Sequence, residues 1–252
     1  MKVCVLYSGS KGNTTYIETK KTKILIDCGN SSRYIVNKLA TLNVTPKDID
    51  AILITHTHSD HIKGLSVFLK NINPTVYMTE KMYQHLDFVK NYHFIKEDSF
   101  EVKDLKVEVI KTSHDAESSL GYIVTNQDKS VVYITDTGYI NNKYYDLLSN
   151  KNIYIMESNH DIEMLNNGTY PFELRKRILS DKGHLSNYDS AKYLAKFIGS
   201  NTKKIILAHL SEENNTEALA METLIERLNK ENIIFNDIII AKQNKETELI
   251  NV

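Results

Sequence analysis

Only two cysteines, Cys4 and Cys28, occur in this chain of 252 residues, and they form no CxxC pair. Each lies in or beside an apolar run, which suits buried thiols in a reducing compartment and excludes a disulfide-stapled secreted scaffold. Proline is as scarce: Pro46, Pro74 and Pro171 are scattered, and no Pro-rich linker, low-complexity tract or internal repeat interrupts the sequence. Nothing marks a domain boundary, so residues 1–252 are read as one domain. No stretch approaches the roughly 20 apolar residues needed to cross a bilayer. The run Val3-Cys4-Val5-Leu6-Tyr7 is too short for the core of a signal peptide, so a cytoplasmic location without a membrane partner is expected. Neither sign of charge prevails, since 31 Lys and Arg face 32 Asp and Glu for a formal net charge of −1. That excludes an overall pull toward nucleic acid; any polyanion must be met by a local patch. With 41% hydrophobic and 25% charged residues, disordered and fibrous classes are excluded too.

What is present is an alternation of strand-like and helix-like segments. Runs rich in β-branched residues predict about eleven strands, at 2–7, 16–19, 23–26, 51–55, 75–78, 105–111, 121–125, 131–135, 153–156, 204–208 and 233–241. Apolar spacing of three to four residues predicts helices over 32–42, 61–70, 81–89, 187–198 and 216–229. Ser186 with Asp189 three positions later reads as a capping signal, which puts His184 in the loop just before a helix. The segments flanking Lys20-Lys21-Thr22 read as a hairpin with a solvated basic turn.

The strongest local signal is Thr55-His56-Thr57-His58-Ser59-Asp60-His61, directly after the apolar strand Ala51-Ile52-Leu53-Ile54. Three histidines and a carboxylate in six positions are too many polar groups for a packed core, where each needs its own buried partner. A metal satisfies them together. Alternation puts His56 and His58 on one side of an extended segment, while Asp60 and His61 fall at the turn into a helix and can face a second ion. Two ions about 3.5–4 Å apart are typical of two-metal hydrolases. Four further strand-like runs end at or near a ligand-type residue: Asp27, His114, Asp136 and His209. Sheet enzymes present chemistry at the carboxyl ends of strands; taken singly, His114 or His209 reads more often as a structural or surface histidine.

These residues resemble the metallo-β-lactamase fold hydrolases over essentially the whole chain. The motifs occur in order as Leu25-Ile26-Asp27-Cys28-Gly29, the His56/His58/Asp60/His61 cluster, Thr112-Ser113-His114-Asp115, Thr135-Asp136-Thr137-Gly138 and Leu207-Ala208-His209-Leu210-Ser211. The resemblance implies an α+β fold, a four-layer αββα sandwich with a dinuclear site at one edge of its two sheets. One metal takes His56, His58 and His114, the other Asp60, His61 and His209, and Asp136 bridges them. Asp27 is expected to accept a hydrogen bond that orients a ligand without itself binding metal. A closer resemblance, to the YycJ/WalJ-type relatives of ribonuclease Z, rests on Ser8-Gly9-Ser10-Lys11-Gly12-Asn13, Lys182-Gly183-His184-Leu185-Ser186-Asn187 and Ala208-His209-Leu210-Ser211-Glu212-Glu213-Asn214-Asn215. It implies a 5′ exonuclease acting on DNA ends.

Two divalent ions held by N and O ligands make a bridging hydroxide available near neutral pH and polarise a phosphoryl oxygen, which fits phosphodiester hydrolysis. Zn²⁺ or Mn²⁺ suits the ligand set, and Fe is tolerated. Asp60 is expected to hold the nucleophile in line, and His184 to donate a proton to the departing oxygen. By the same resemblance Glu157 is expected to orient His184. Gly9 and Gly12 let the loop approach an anion, with Ser10 and Asn13 as phosphate contacts, although an ordinary turn reads the same. Arg175-Lys176-Arg177 with Lys182 reads either as a track for a nucleic-acid backbone or as a solvated helix face. His85, His93 and His160 are left as surface or packing residues. Two other functions stay in view: a small-molecule phosphodiesterase or glyoxalase-type thioester hydrolase on the same fold, and a noncatalytic scaffold, which the full ligand set disfavours.

Overall fold

Alternate residues of the strand Lys129–Ile134 serve two different cores. Val131 and Tyr133 pack with residues of the first half of the chain, whereas Val132 and Ile134 pack with helices of the second half. A strand apolar on both faces lies between two layers, and this one fixes the layering of the molecule. The computed structural model describes all of residues 1–252. In chain order the first half comprises β1 (Lys2–Tyr7), β2 (Thr14–Glu18), β3 (Lys23–Ile26), α1 (Ser32–Thr41), β4 (Ala51–Leu53), α2 (Ser59–Ile62), α3 (Leu65–Phe68), β5 (Thr75–Met78), α4 (Glu80–Tyr83) and β6 (Tyr92–Phe94). There follow β7 (Ser99–Val102), β8 (Leu105–Lys111), β9 (Leu120–Asn126), β10 (Lys129–Ile134), α5 (Tyr145–Leu148), β11 (Ile153–Glu157), α6 (Ile162–Asn167), α7 (Phe172–Ile178), α8 (Asn187–Phe197), β12 (Lys204–Ala208), α9 (Glu217–Lys230), β13 (Ile238–Ile240) and β14 (Ile250–Asn251).

Two seven-stranded sheets result, ordered β14-β1-β2-β3-β4-β5-β6 and β13-β12-β11-β10-β9-β8-β7. Both are mixed, with β3 to β6 parallel in one and β10 to β13 parallel in the other. The larger core fills the space between the sheets and takes in Ile35 and Leu39 of α1 with Leu65 and Phe68 of α3. The smaller core lies on the other face of the second sheet, under Leu194 and Phe197 of α8 and Leu224 and Leu228 of α9. Each such buried Leu, Ile or Phe is worth about 1.5–3 kcal/mol, so the sheets form a rigid base for the loops at their edges. The layering is the four-layer sandwich expected from the sequence, and no helix is long and apolar enough to cross a membrane.

The structure has fourteen strands and nine α-helices, more than the sequence patterns predict, and the differences have local causes. The helix expected over 61–70 splits into α2 and α3 because Gly64 breaks its run by donating to Cys28 O at 2.8 Å. A Cβ at Gly64 would lie 2.0 Å from Asn30 O, so no other residue fits that approach. The helix expected over 81–89 stops after Tyr83 and continues as turns that still bury Leu86 and Val89. The long strand expected over 233–241 reduces to Ile238–Ile240. The hairpin of β2 and β3 has its expected turn, closed by Thr19 N donating to Thr22 O at 2.8 Å. Ser186 caps α8 by accepting from Asp189 N at 3.0 Å.

Candidate metal centre

Three residues in the left-handed region, Asp27 (φ 60°), Asp136 (φ 57°) and His209 (φ 56°), each stand at or just past the end of a strand, after β3, β10 and β12. Such conformations cost of order 1–3 kcal/mol and persist only where surrounding contacts demand them. Here all three turn polar side chains toward one edge of the two sheets. His56 and the segment into α2 follow β4, His114 follows β8, and Glu157 ends β11. The sheets are tied together at this edge by Leu120 N donating to Thr55 O (2.9 Å), Tyr122 OH donating to Ile54 O (2.5 Å) and His209 N donating to Ser8 Oγ (2.8 Å). The loop carrying Asp60 is clasped by Asn13 N, which donates to Asp60 O at 2.7 Å. Gly29 lies against the same carbonyl, where a Cβ would be 1.7 Å from it.

Side chains from distant segments meet in sets that can hold cations. His56, His58 and His114 form one set, and Asp60, His61 and His209 another; His56 and His61 also group with Asp136. Asp136 reaches both triads, with Oδ2 3.2 Å from His61 Nε2 and Oδ1 3.6 Å from His209 Nε2 and 3.8 Å from His114 Nε2. The donor atoms fit metal ions on a separate count. His56 Nε2, His209 Nε2 and Asp136 Oδ2 are buried with no hydrogen-bond partner, an arrangement too costly to leave uncompensated. Imidazoles with carboxylates suit divalent transition ions.

The outward-facing ring nitrogens are held by the protein. His56 Nδ1 lies 3.1 Å from Thr55 Oγ1, His61 Nδ1 2.7 Å from Asp27 Oδ2, His114 Nδ1 3.1 Å from Gly183 O and His209 Nδ1 2.9 Å from Glu157 Oε1. Each contact leaves Nε2 directed inward. His58 is turned the other way, with Nδ1 3.3 Å from His114 Nε2 and Nε2 3.8 Å from Asp115 Oδ1. Asp27 is fully buried and also accepts from Thr55 N and Thr55 Oγ1, both at 2.8 Å. Glu157, likewise fully buried, accepts on Oε1 from His184 Nδ1 (2.7 Å) and His209 Nδ1, and on Oε2 from Thr137 N (3.0 Å) and Leu185 N (3.1 Å).

Electrostatics sort the groups. Burial drives the pKa of His56 well below the ordinary histidine value and lowers that of His114. Burial also opposes a charge on His61 and His209, but Asp136 outweighs it, with Asp27 raising His61 well above the ordinary value and Asp60 and Glu157 helping to bring His209 to about 10. Burial likewise works against the carboxylates, yet His61 and His209 hold Asp60 and Asp136 far below their usual range, and His184 and His209 bring Glu157 down to about 2.

One sequence expectation changes. Asn13, expected on phosphate, is turned inward: it exchanges hydrogen bonds with Gly9 in both directions and places Nδ2 3.2 Å from Asp60 Oδ2. Ser10 remains exposed beside Lys11, which pairs with Glu212. Four residues at the site had no assigned role: Thr55, which bridges Asp27 to two rings; Asn159, whose Nδ2 donates to His209 O at 2.9 Å; Ser8; and Asp115. Asp115 follows His114 immediately, and that adjacency was its only sequence signal. A cleft of about 490 Å³ opens beside His114, with Lys81, Lys96 and Lys111 in walls that also carry Glu80, Glu97 and Asp98.

His85 and His93 are exposed, but His160 is buried with neither ring nitrogen partnered, and burial lowers its pKa to about 4. Folding therefore favours the neutral ring, and the unfolded chain takes up the proton first as pH falls below about 6.5. Stability from this residue is full above that pH and is lost down to about pH 4, by about 3 kcal/mol in all. His160→Leu is expected to flatten the acid dependence by that amount. Denaturant unfolding of both chelated proteins at pH 7.5 and 4.5 checks it, and equal losses in the two would refute it.

Comparisons with known proteins follow the same lines. The model of a family described as a β-lactamase superfamily domain matches residues 22–210. The exodeoxyribonuclease WalJ of Streptococcus pneumoniae serotype 2 is 42% identical over 238 residues, 90% of this chain and 88% of its own. The exodeoxyribonuclease YycJ of Bacillus anthracis is 40% identical over 225 residues, 86% of this chain and 84% of its own. Among solved structures, the metallo-β-lactamase fold protein YhfI of Bacillus subtilis superposes with a TM-score of 0.72 at 18% identity, covering 98% of this chain and 99% of its own. The short form of human tRNase Z gives 0.69 at 16% identity and covers both chains completely; at such identities the likeness is one of fold.

Proposed function

This chain belongs to the metallo-β-lactamase superfamily, and on that premise we propose that it is a dinuclear metal-dependent 5′ exonuclease that hydrolyses phosphodiesters at DNA ends. The observation that carries the reading is the meeting of two ligand triads about Asp136 beside a histidine, His184, held through Nδ1 by Glu157. Its relatives at 40–42% identity are exodeoxyribonucleases by name. His56, His58 and His114 would hold one divalent ion and Asp60, His61 and His209 a second, with Asp136 between them; Zn²⁺, Mn²⁺ and Fe²⁺ all suit these ligands. Loading would displace protons from His61 and His209, so affinity is expected to rise with pH. When bound, two such ions supply a reactive hydroxide near neutral pH and positive charge opposite the phosphoryl oxygens.

The chain's own groups do the rest. Asp60, fixed through Asn13, holds the attacking oxygen in line with the phosphorus. Glu157 orients His184 by accepting from Nδ1–H, which leaves Nε2 of the doubly protonated ring to deliver its proton to the departing sugar oxygen. Ser10 is exposed at the mouth of the loop and stays as a phosphate contact. The test is purified protein loaded with Mn²⁺ or Zn²⁺, given 5′-labelled DNA beside cyclic nucleotides and a glutathione thioester. Stepwise loss of the 5′ end is expected. Untouched DNA with turnover of either small substrate would replace this reading with a small-molecule hydrolase.

A further inference from the structure

The basic run on α7 does not act as one patch. Arg175 turns back to Asn166 O, whereas Arg177 reaches the metal centre and sets Nε 2.5 Å from Asp115 Oδ2. The other oxygen of Asp115 is 3.2 Å from His114 Nε2 and 3.8 Å from His58 Nε2. The guanidinium is thus one carboxylate removed from two rings of a ligand triad. Its position is fixed at the backbone too: the end of α7 meets the His184 loop through His184 N, which donates to Ile178 O at 3.0 Å, and Gly183 O faces His114 Nδ1. Gly183 permits this approach, since a Cβ there would lie 2.0 Å from Ile178 O.

A guanidinium beside a cationic centre is repelled unless an anion stands between, and Asp115 is that anion. Arg177 is 54% exposed, and Asp115 is the one carboxylate within 4 Å of its guanidinium. A planar fork held at Nε by a carboxylate and half open to solvent suits an oxyanion arriving from solvent. In a polynucleotide the anion next to the scissile phosphate is the neighbouring phosphate of the same strand.

We propose that Arg177, positioned by Asp115, receives the phosphate adjacent to the scissile one and so makes the site selective for nucleic-acid strands over isolated phosphodiesters. The inference rests on the nuclease reading above. It differs from a purely structural role, in which the Arg177–Asp115 pair only steadies His58 and His114.

A cycle between protein and substrate separates the two. Metal-loaded wild type and Arg177→Gln are compared on one DNA strand and on the same strand with a neutral methylphosphonate at the linkage next to the scissile bond. The neutral linkage is expected to lower kcat/KM of the wild type about 10- to 100-fold, and Arg177→Gln to lower it equally on the native strand. The double change should lose no more than either single one. Binding of a non-hydrolysable strand should show a log Kd against log salt slope smaller by about 0.7 in Arg177→Gln. Additive losses, or an unchanged slope, would overturn the assignment to phosphate. Wild-type enzyme that turns over bis(4-nitrophenyl) phosphate but no DNA would instead overturn the nuclease reading, and the role of Arg177 with it.

Discussion

Asp136→Ala is expected to lower turnover on DNA by at least about 10⁴-fold, equivalent to roughly 5–6 kcal/mol of transition-state stabilisation. Asp136 is the one carboxylate within 4 Å of Nε2 atoms from both triads, so in the proposed centre its removal would take a ligand from each ion at once. Metal analysis of the variant should show both sites depleted, and excess metal should fail to restore the rate. The chelated protein offers a second readout. The folded pKa of His209 is raised to about 10, chiefly by Asp136 acting against burial. The stability it brings is full below the unfolded value near 6.5 and is lost as pH rises toward 10. Chelated wild type should therefore lose stability between pH 6.5 and 10, and the variant should be less stable at neutral pH with a flatter decline. A variant that kept its metal and came within tenfold of wild-type turnover would remove Asp136 from the bridging position.

How far the centre was legible in the sequence follows from how far apart its parts lie. His56, His58, Asp60 and His61 share one loop, so their spacing alone announces a shared ligand. Asp27, His114, Asp136 and His209 end strands whose β-branched runs are unmistakable, and the structure brings all four to the same edge. Asp115 was hidden because nothing local distinguishes it. Its meaning comes from Arg177, 62 residues later, on a short helix the pattern did not predict. Asn13 was misread for a related reason: a Gly and Ser-rich loop looks like an anion cradle, whereas the carboxamide is consumed by Gly9 and Asp60. Among the elements, α8 and α9 carry amphipathic patterns long enough to read. The strands β6, β7 and β14 are two to four residues long, lie at sheet edges and expose much of their surface, so no alternation develops.

Glu157→Gln is expected to damage the enzyme in one of two distinguishable ways, because the buried carboxylate serves four donors and an amide can serve only two. Oxygen Oε1 accepts from the His184 and His209 rings, and Oε2 from the backbone N–H groups of Thr137 and Leu185. If the glutamine NH₂ faces the backbone, two N–H groups are left unsatisfied at about 1–3 kcal/mol each, and chelated protein should unfold at markedly lower denaturant while the loaded enzyme keeps much of its rate. If the NH₂ faces the rings, both must present Nδ1 as an acceptor and carry their protons on Nε2. That tautomer would take His209 Nε2 away from a metal ion and bar His184 from the doubly protonated form that delivers a proton, so turnover should fall about 10²- to 10⁴-fold with stability little changed. Parallel measurement of unfolding, metal content and the pH profile of turnover assigns the outcome. A variant equal to wild type in all three would deny Glu157 any part in orienting either histidine.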